Sequence, residues 1–192
     1  MDAELNKLKT EKIGQQRLLI IGGTGRDSGK STLAELLITR FADRGIIGLK
    51  ITPHDHPDMS GLTLIAEGER FKVFEERCLS SYKDSSRMLR AGAARVFLIV
   101  SASSSAGDAW LSLQPFLPID VPVVCESPAL RRCVDPDLFI IMTHGQGGNY
   151  DSKKIDDLIP LADLIVTIAE LHSGKAENID LNEDNRWYLK RQ

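Results

Sequence analysis

Six short apolar runs punctuate the chain: Arg17–Ile21, Ile46–Ile51, Arg95–Ser101, Val121–Cys125, Asp137–Thr143 and Leu164–Ile168. Several of them, such as VFLIV and LFIIM, are apolar without alternation, which suits strands covered on both faces of a parallel sheet. Between the first two runs, Ser31–Arg44 places Leu33, Leu36, Leu37 and Phe41 on one helical face. It closes on Arg44-Gly45, a helix C-terminal signal. Lys83–Ala94 predicts a second helix, with Asp84, Ser85 or Ser86 near its start and Gly92 near its end. Asp108–Phe116 and Ser152–Leu158 carry weaker helical patterns. Pro53 to Tyr82 is a long polar stretch, and the tail from Glu170 to Gln192 is expected to pack as a short strand or helix anchored by Trp187 and Tyr188.

This alternation of strand and helix predicts an α/β, doubly wound fold, in which ligands gather at the carboxyl ends of the strands. The 192 residues fit one domain, 17–192, preceded by a polar arm, 1–16. A net charge of −3 and a pI near 5.8 supply no bulk attraction for nucleic acid or an acidic membrane, so neither is an expected partner. The opening MDAELNKLKTEKIGQQ has no apolar core of a signal peptide, and no apolar run approaches the roughly 20 residues needed to span a bilayer. Cys78, Cys125 and Cys133 are odd in number and lack CxxC spacing, which argues against a disulfide framework. The expected compartment is the cytoplasm.

The strongest chemical signal follows the first apolar run. After RLLII comes GGTGRDSGKSTL: a glycine-rich turn, a lysine, then a hydroxyl residue opening a helix. Glycines let consecutive backbone N–H groups curl around phosphate oxygens, and the helix N-terminus adds free donors and a favourable dipole. The residues read as nucleotide-binding are Gly23, Thr24, Gly25, Arg26, Asp27, Ser28, Gly29, Lys30, Ser31 and Thr32. Lys30 would reach the β- and γ-phosphates, and the Ser31 hydroxyl would ligate Mg²⁺. The common spacing GxxxxGK[ST] fails by one residue, because Thr24 stands where the first glycine belongs. Read from Gly23, the loop is Gly-Thr-x4-Gly-Lys-Ser.

The second strand runs into LKITPHDHPD. Lys50 closes it, and His54, Asp55 and His56 follow in a turn-prone, proline-flanked segment. Two readings stand open for this cluster: an exposed polar turn, or a metal-holding or switch segment reaching the γ-phosphate. Glu126 follows VPVVC at a strand mouth, where a carboxylate can hold the magnesium shell or orient a water, so Ser31 and Glu126 are the candidate metal residues. Catalysis would fall to Lys30 with either Asp55 or Glu126 positioning the water. Cys125 beside it reads as a buried small apolar residue. Lys83-Asp84-Ser85 precedes a helix that Asp84 or Ser85 caps, with Arg87 and Arg90 on a solvated face, or else the three bind a second anion. THGQGGNYD, Thr143–Asp151, is a glycine-rich loop suited to base or substrate contacts, with His144 a loop histidine or a ligand.

The lengthened loop resembles those of dethiobiotin synthetase and the cobyrinic acid amide-forming enzymes, which run GT-x4-GK[ST]. Those proteins belong to a class of P-loop NTPases whose dimers often assemble around nucleotide. In sequence order, GTGRDSGKSTL, GLKITPHDH and YKDSSRMLRAGAARVFLIVSAS, together spanning roughly residues 17–103, resemble molybdopterin-guanine dinucleotide biosynthesis protein B. That family is a GTP-binding accessory of molybdenum cofactor maturation. The resemblance implies a three-layer P-loop NTPase fold with a mostly parallel central sheet flanked by helices. It also implies Mg²⁺ with GTP or ATP, GTP being expected, slow hydrolysis, and a homodimer. Lys50, His54, His56, Lys83, Asp84 and Ser85 become substrate or switch residues toward a pterin-type or other anionic small molecule. The chain departs from the family in its longer loop, in ITPHDH where a denser histidine run is usual, in the stretch before Tyr82, and in Val124-Cys125-Glu126-Ser127 where Val-Glu-Gly is usual. Two other activities fit the same loop: an ATP-dependent synthetase or small-molecule kinase, and a nucleotide-controlled adaptor without hydrolysis.

Overall fold

The computed structural model describes residues 17–53, 58–145 and 155–190. They form an α/β structure around one eight-stranded sheet. The strands are β1 (Arg17–Gly23), β2 (Ile47–Thr52), β3 (Leu62–Gly68), β4 (Phe71–Glu76), β5 (Arg95–Ser101), β6 (Pro122–Glu126), β7 (Leu138–Thr143) and β8 (Leu164–Thr167). Their spatial order is β3-β4-β5-β2-β6-β1-β7-β8. From β5 to β8 every pairing is parallel, whereas β3 and β4 form an antiparallel hairpin added to the β5 edge. The helices are α1 (Lys30–Arg40), α2 (Asp84–Arg90), α3 (Ala106–Leu113), α4 (Pro128–Arg131) and α5 (Ile168–His172). Two further strands, β9 (Ile179–Leu181) and β10 (Trp187–Leu189), pair antiparallel near the C-terminus.

Each face of the parallel sheet carries its own apolar core, which is why its strands are nearly continuous in hydrophobicity. On one face, Leu19, Ile21, Val124, Ile140 and Met142 meet α1, α2, α5 and the β9–β10 hairpin. On the other, Leu18, Ile20, Cys125, Phe139 and Ile141 meet Ala109, Trp110 and Leu113 of α3 and Leu130 of α4. Helix α1 presents Leu33, Ala34, Leu37 and Ile38 to the sheet. It ends at Arg40, short of the expected Arg44, because the chain tightens into a 3-10 turn over Ala42–Arg44 and turns at Gly45, whose φ is 67°. Lys83–Ala94 likewise shortens to α2.

One element departs from the sequence reading more strongly. The polar stretch before Tyr82 contains the β3–β4 hairpin; the tail, expected as a short strand or helix, has both, as α5, a 3-10 turn and two strands. Trp187 anchors the tail edge-on to Phe41, with ring centroids 5.6 Å apart, whereas Tyr188 is exposed and anchors nothing. Ile155–Leu158 forms turns where a helix was expected over Ser152–Leu158. Among the described residues no helix is long and apolar enough to cross a membrane.

The connections place the site. Chain leaving β1 and β2 travels toward the β5 edge, and chain leaving β6 and β7 travels toward the β8 edge. The direction reverses between the neighbours β1 and β6, and the crevice beyond their carboxyl ends is where such sheets bind ligands.

Candidate functional site

The glycine-rich loop bridges β1 and α1 at that crevice. Its first anchor is a backbone bond, the Thr24 N–H donating to the Met142 carbonyl at 3.0 Å. Gly23 lies under the Lys30 side chain, and a Cβ there would stand 2.8 Å from Lys30 Cδ and collide with the Ser28 hydroxyl. Gly29 has φ 96°, the left-handed region, and an added Cβ would meet Ile168 Cγ1 at 2.5 Å. Both glycines are therefore needed to let Lys30 begin α1 and fold back over the loop. The Lys30 ammonium donates to the Gly25 carbonyl at 2.6 Å and to Ser28 Oγ at 3.1 Å. Burial pushes its pKa below the usual lysine range, partly countered by Glu126. Thr24 and Ser28 are buried within the loop, and Arg26 and Asp27 are exposed on it. Asp27 itself takes a positive φ of 58°.

Beside the loop, four side chains close a ring. Lys50 and Glu126 are register partners on β2 and β6 and share the face covered by α1 and α2. The Lys50 ammonium donates to Glu126 Oε1 at 2.6 Å and pairs with Asp84 Oδ2 at 2.8 Å. The other oxygen of each carboxylate faces the Ser31 hydroxyl, Glu126 Oε2 at 3.0 Å and Asp84 Oδ1 at 3.3 Å. Gly48, two residues before Lys50 on the same face, lets Met88 of α2 lie close, with Met88 Sδ 3.1 Å from the position of a Cβ. That close approach sets the start of α2, and so Asp84, against β2. Burial pushes the Lys50 pKa down, but the Glu126 and Asp84 carboxylates outweigh it and hold the amine above its ordinary value. Burial pushes Asp84 up, and Lys50 outweighs it, so that carboxyl lies below its ordinary range.

The ring's chemistry suits a hard divalent cation. A hydroxyl has one proton, so Ser31 can satisfy only one of the two carboxylate oxygens facing it. Magnesium at 2.0–2.1 Å from octahedral oxygens sets neighbouring oxygens about 2.9 Å apart, close to the separations found at Ser31. Among the described residues no three His, Cys, Asp or Glu side chains gather as a metal cluster, so the donor set is two carboxylates and a hydroxyl.

Two clefts flank the loop. One, of about 770 Å³, contains the Lys50 ring, Lys30 and Tyr82. The other, of about 1270 Å³, opens on the α3–α4 side between the loop, Thr52, Ser101, Ser103, Ser127 and Arg132. Gly25, Arg26, Asp27, Lys30 and Thr52 line both.

The structure brings Lys30, Ser31, Lys50, Asp84 and Glu126 together, and Lys83 and Ser85 line the same cleft while bonding a different partner. Lys83 and Ser85 turn inward onto Glu76, at 3.1 and 2.8 Å. Side-chain capping does not explain Lys83-Asp84-Ser85 either, because α2 starts without a side-chain cap bond. Arg87 pairs with Glu35 at 2.6 Å, and Arg90 donates to the Leu79 and Ser81 carbonyls, so their face is bonded rather than merely solvated. His54, Asp55 and His56 lie outside the described residues, as does most of the loop after Thr143. Cys125 is fully buried, and burial pushes its thiol pKa up, as fits an inert core residue. One contact was not anticipated. His144, just after β7, approaches the Arg26 carbonyl with Nε2 at 2.8 Å and Thr24 Oγ1 with Nδ1 at 3.5 Å. Its place at the end of the strand next to β1 was the available signal.

Comparisons with family models, curated proteins and solved structures gave no match to this chain.

Proposed function

We propose that the chain is a magnesium-dependent P-loop nucleotide-binding protein that hydrolyses its nucleotide slowly. GTP is the preferred nucleotide and the role is an accessory one like that of molybdopterin-guanine dinucleotide biosynthesis protein B. The observation that carries the reading is the position of Lys30 and Ser31. They open α1 directly after a glycine loop on β1, with Glu126 of the neighbouring strand 3.0 Å from the Ser31 hydroxyl. Phosphates fit the loop's backbone N–H groups and the N-terminus of α1, with the Lys30 ammonium as their counter-charge. Ser31 and Glu126, with Asp84 beside them, would hold magnesium, which when bound supplies charge neutralisation for the phosphates. The protein's own part is to fix the phosphates, keep Lys30 partly out of water and offer Glu126 as an orienting carboxylate.

The preference for GTP and assembly as a homodimer rest on the family resemblance. The free thiols Cys78, Cys125 and Cys133 support a reducing, cytoplasmic setting. The cleft of about 1270 Å³ favours a second reading, a synthetase or kinase acting with ATP, because it gives a second small molecule room beside Lys30. Titration with GTP and with ATP in magnesium buffer, followed by assay of γ-phosphate release, tests these readings. Tighter GTP binding with slow release is expected. ATP binding without GTP binding supports the synthetase or kinase, and binding without release, with or without candidate acceptors, supports a nucleotide-controlled adaptor.

A further inference from the structure

Lys83, Asp84 and Ser85 are consecutive, yet they serve two environments. Asp84 faces Lys50 and Ser31, while its two neighbours are drawn the other way onto Glu76, the last residue of β4. The Glu76 and Lys83 side chains are only 0% and 2% exposed. Glu76 Oε2 accepts from Ser85 Oγ at 2.8 Å and pairs with Lys83 at 3.1 Å, and Oε1 accepts from the Cys78 N–H at 2.9 Å. Lys83 also donates to the Ser60 carbonyl at 2.6 Å. The charges are thus closed into a small network that joins the turn at Ser60, the end of the hairpin and the start of α2.

A buried ion pair contributes little net stability, since desolvation consumes most of the attraction, but it fixes geometry tightly. Here the geometry fixed is that of Asp84. Helix α2 begins at Asp84, Lys83 in the N-cap position is extended with φ −61° and ψ 146°, and no side chain caps the helix. The start of the helix is therefore held from outside, by the Met88–Gly48 approach and by the carboxylate that holds the residues on either side of Asp84.

We propose that Glu76 is a positioning residue: through Lys83 and Ser85 it holds Asp84 at the Lys50–Ser31–Glu126 cluster and ties the β3–β4 hairpin to the nucleotide site. The inference rests on the nucleotide-binding reading above. Glu76 bonds Lys83, Ser85 and the Cys78 N–H rather than Ser31, Asp84 or Glu126, so its effect on those metal donors passes through the chain at Asp84.

A double-mutant cycle tests this. Affinity for a fluorescent, non-hydrolysable GTP analogue is measured in magnesium and in EDTA for wild type, Glu76→Gln, Asp84→Asn and the double variant. Glu76→Gln is expected to cut the magnesium-dependent gain in affinity by about fivefold, and by less than about twofold once Asp84 is already Asn, the non-additivity of residues acting in series. A folded Glu76→Gln protein with the full magnesium gain, or losses that multiply in the double variant, overturns the proposal while leaving nucleotide binding intact. If Glu76→Gln does not fold, Ser85→Ala, which removes one hydrogen bond and no charge, takes its place in the cycle; additivity there overturns the proposal equally. Wild type lacking any magnesium-dependent binding sinks the nucleotide reading, and this inference with it.

Discussion

Lys50 and Glu126 stand opposite each other on neighbouring parallel strands, with the lysine ammonium 2.6 Å from the carboxylate in a position only 2% exposed for the glutamate. The same ammonium pairs with Asp84 at 2.8 Å. One cation therefore pairs with both carboxylates that flank Ser31, and a metal ion at that hydroxyl would share those carboxylates with it.

Lys50→Met removes that cation and leaves buried Glu126 without its ion-pair partner, with the more distant Lys30 as the remaining positive charge acting on it. Breaking such a pair typically costs about 3 kcal/mol. Urea unfolding should show a loss of this order, largely restored by Mn²⁺ even without nucleotide, because ligand binding to the native state adds stability. Manganese should bind the variant more tightly than wild type, read by its electron paramagnetic resonance signal. Equal manganese affinity in the two proteins contradicts a shared site.

The same charges predict how stability depends on pH. Asp84 titrates below its ordinary 3.8 in the folded protein, so its contribution is complete above that value and is lost as pH falls through the lowered native one. Lys50 titrates above its ordinary 10.5, so its contribution is complete below that value and is lost as pH rises through the raised native one. Thermal unfolding midpoints should therefore form a plateau with a fall at each end. Lys50→Met should shrink the acidic fall and remove this residue's share of the alkaline one.

Gly23→Ala tests the loop without touching a charge. The new methyl collides with Ser28 and the Lys30 stem, and relief by turning Lys30 away exchanges about 1–3 kcal/mol of overpacking for a misplaced ammonium. Nucleotide affinity should drop about tenfold or more while the unfolding midpoint moves little. A folded variant with wild-type affinity would remove Lys30 from the account of phosphate binding.

His144→Ala deletes the brace between β7 and the loop. Losing the bond to the Arg26 carbonyl is worth about 1 kcal/mol, so nucleotide affinity should fall about fivefold. Calorimetric titration measures it directly, and unchanged affinity would mean that the loop holds its shape without the imidazole.

The parallel part of the sheet was legible because its strands are buried on both faces and so read as unbroken apolar runs. The hairpin was not. In β3, Thr63, Leu64, Glu67 and Gly68 are exposed and no residue is fully buried, so it carries no run to read. The glycine-lysine-serine pattern located Lys30 and Ser31, and strand-end reasoning located Lys50 and Glu126, since a doubly wound sheet collects such residues at one crevice. The same reasoning could not divide Lys83-Asp84-Ser85. Their orientations are decided by Glu76, which lies at the end of a strand the sequence did not announce. Nor could it find the tie from His144 to Arg26, 118 residues apart.

The central claim, that the Gly23–Thr32 loop binds nucleotide phosphates through Lys30, is tested most directly by titrating wild type and Lys30→Ala with GTP in magnesium buffer. Charge-assisted hydrogen bonds to phosphate are worth about 1.5–3 kcal/mol each, so the variant should bind roughly a hundredfold more weakly while unfolding at a similar temperature. Equal binding by the two proteins, or none by either, would contradict it.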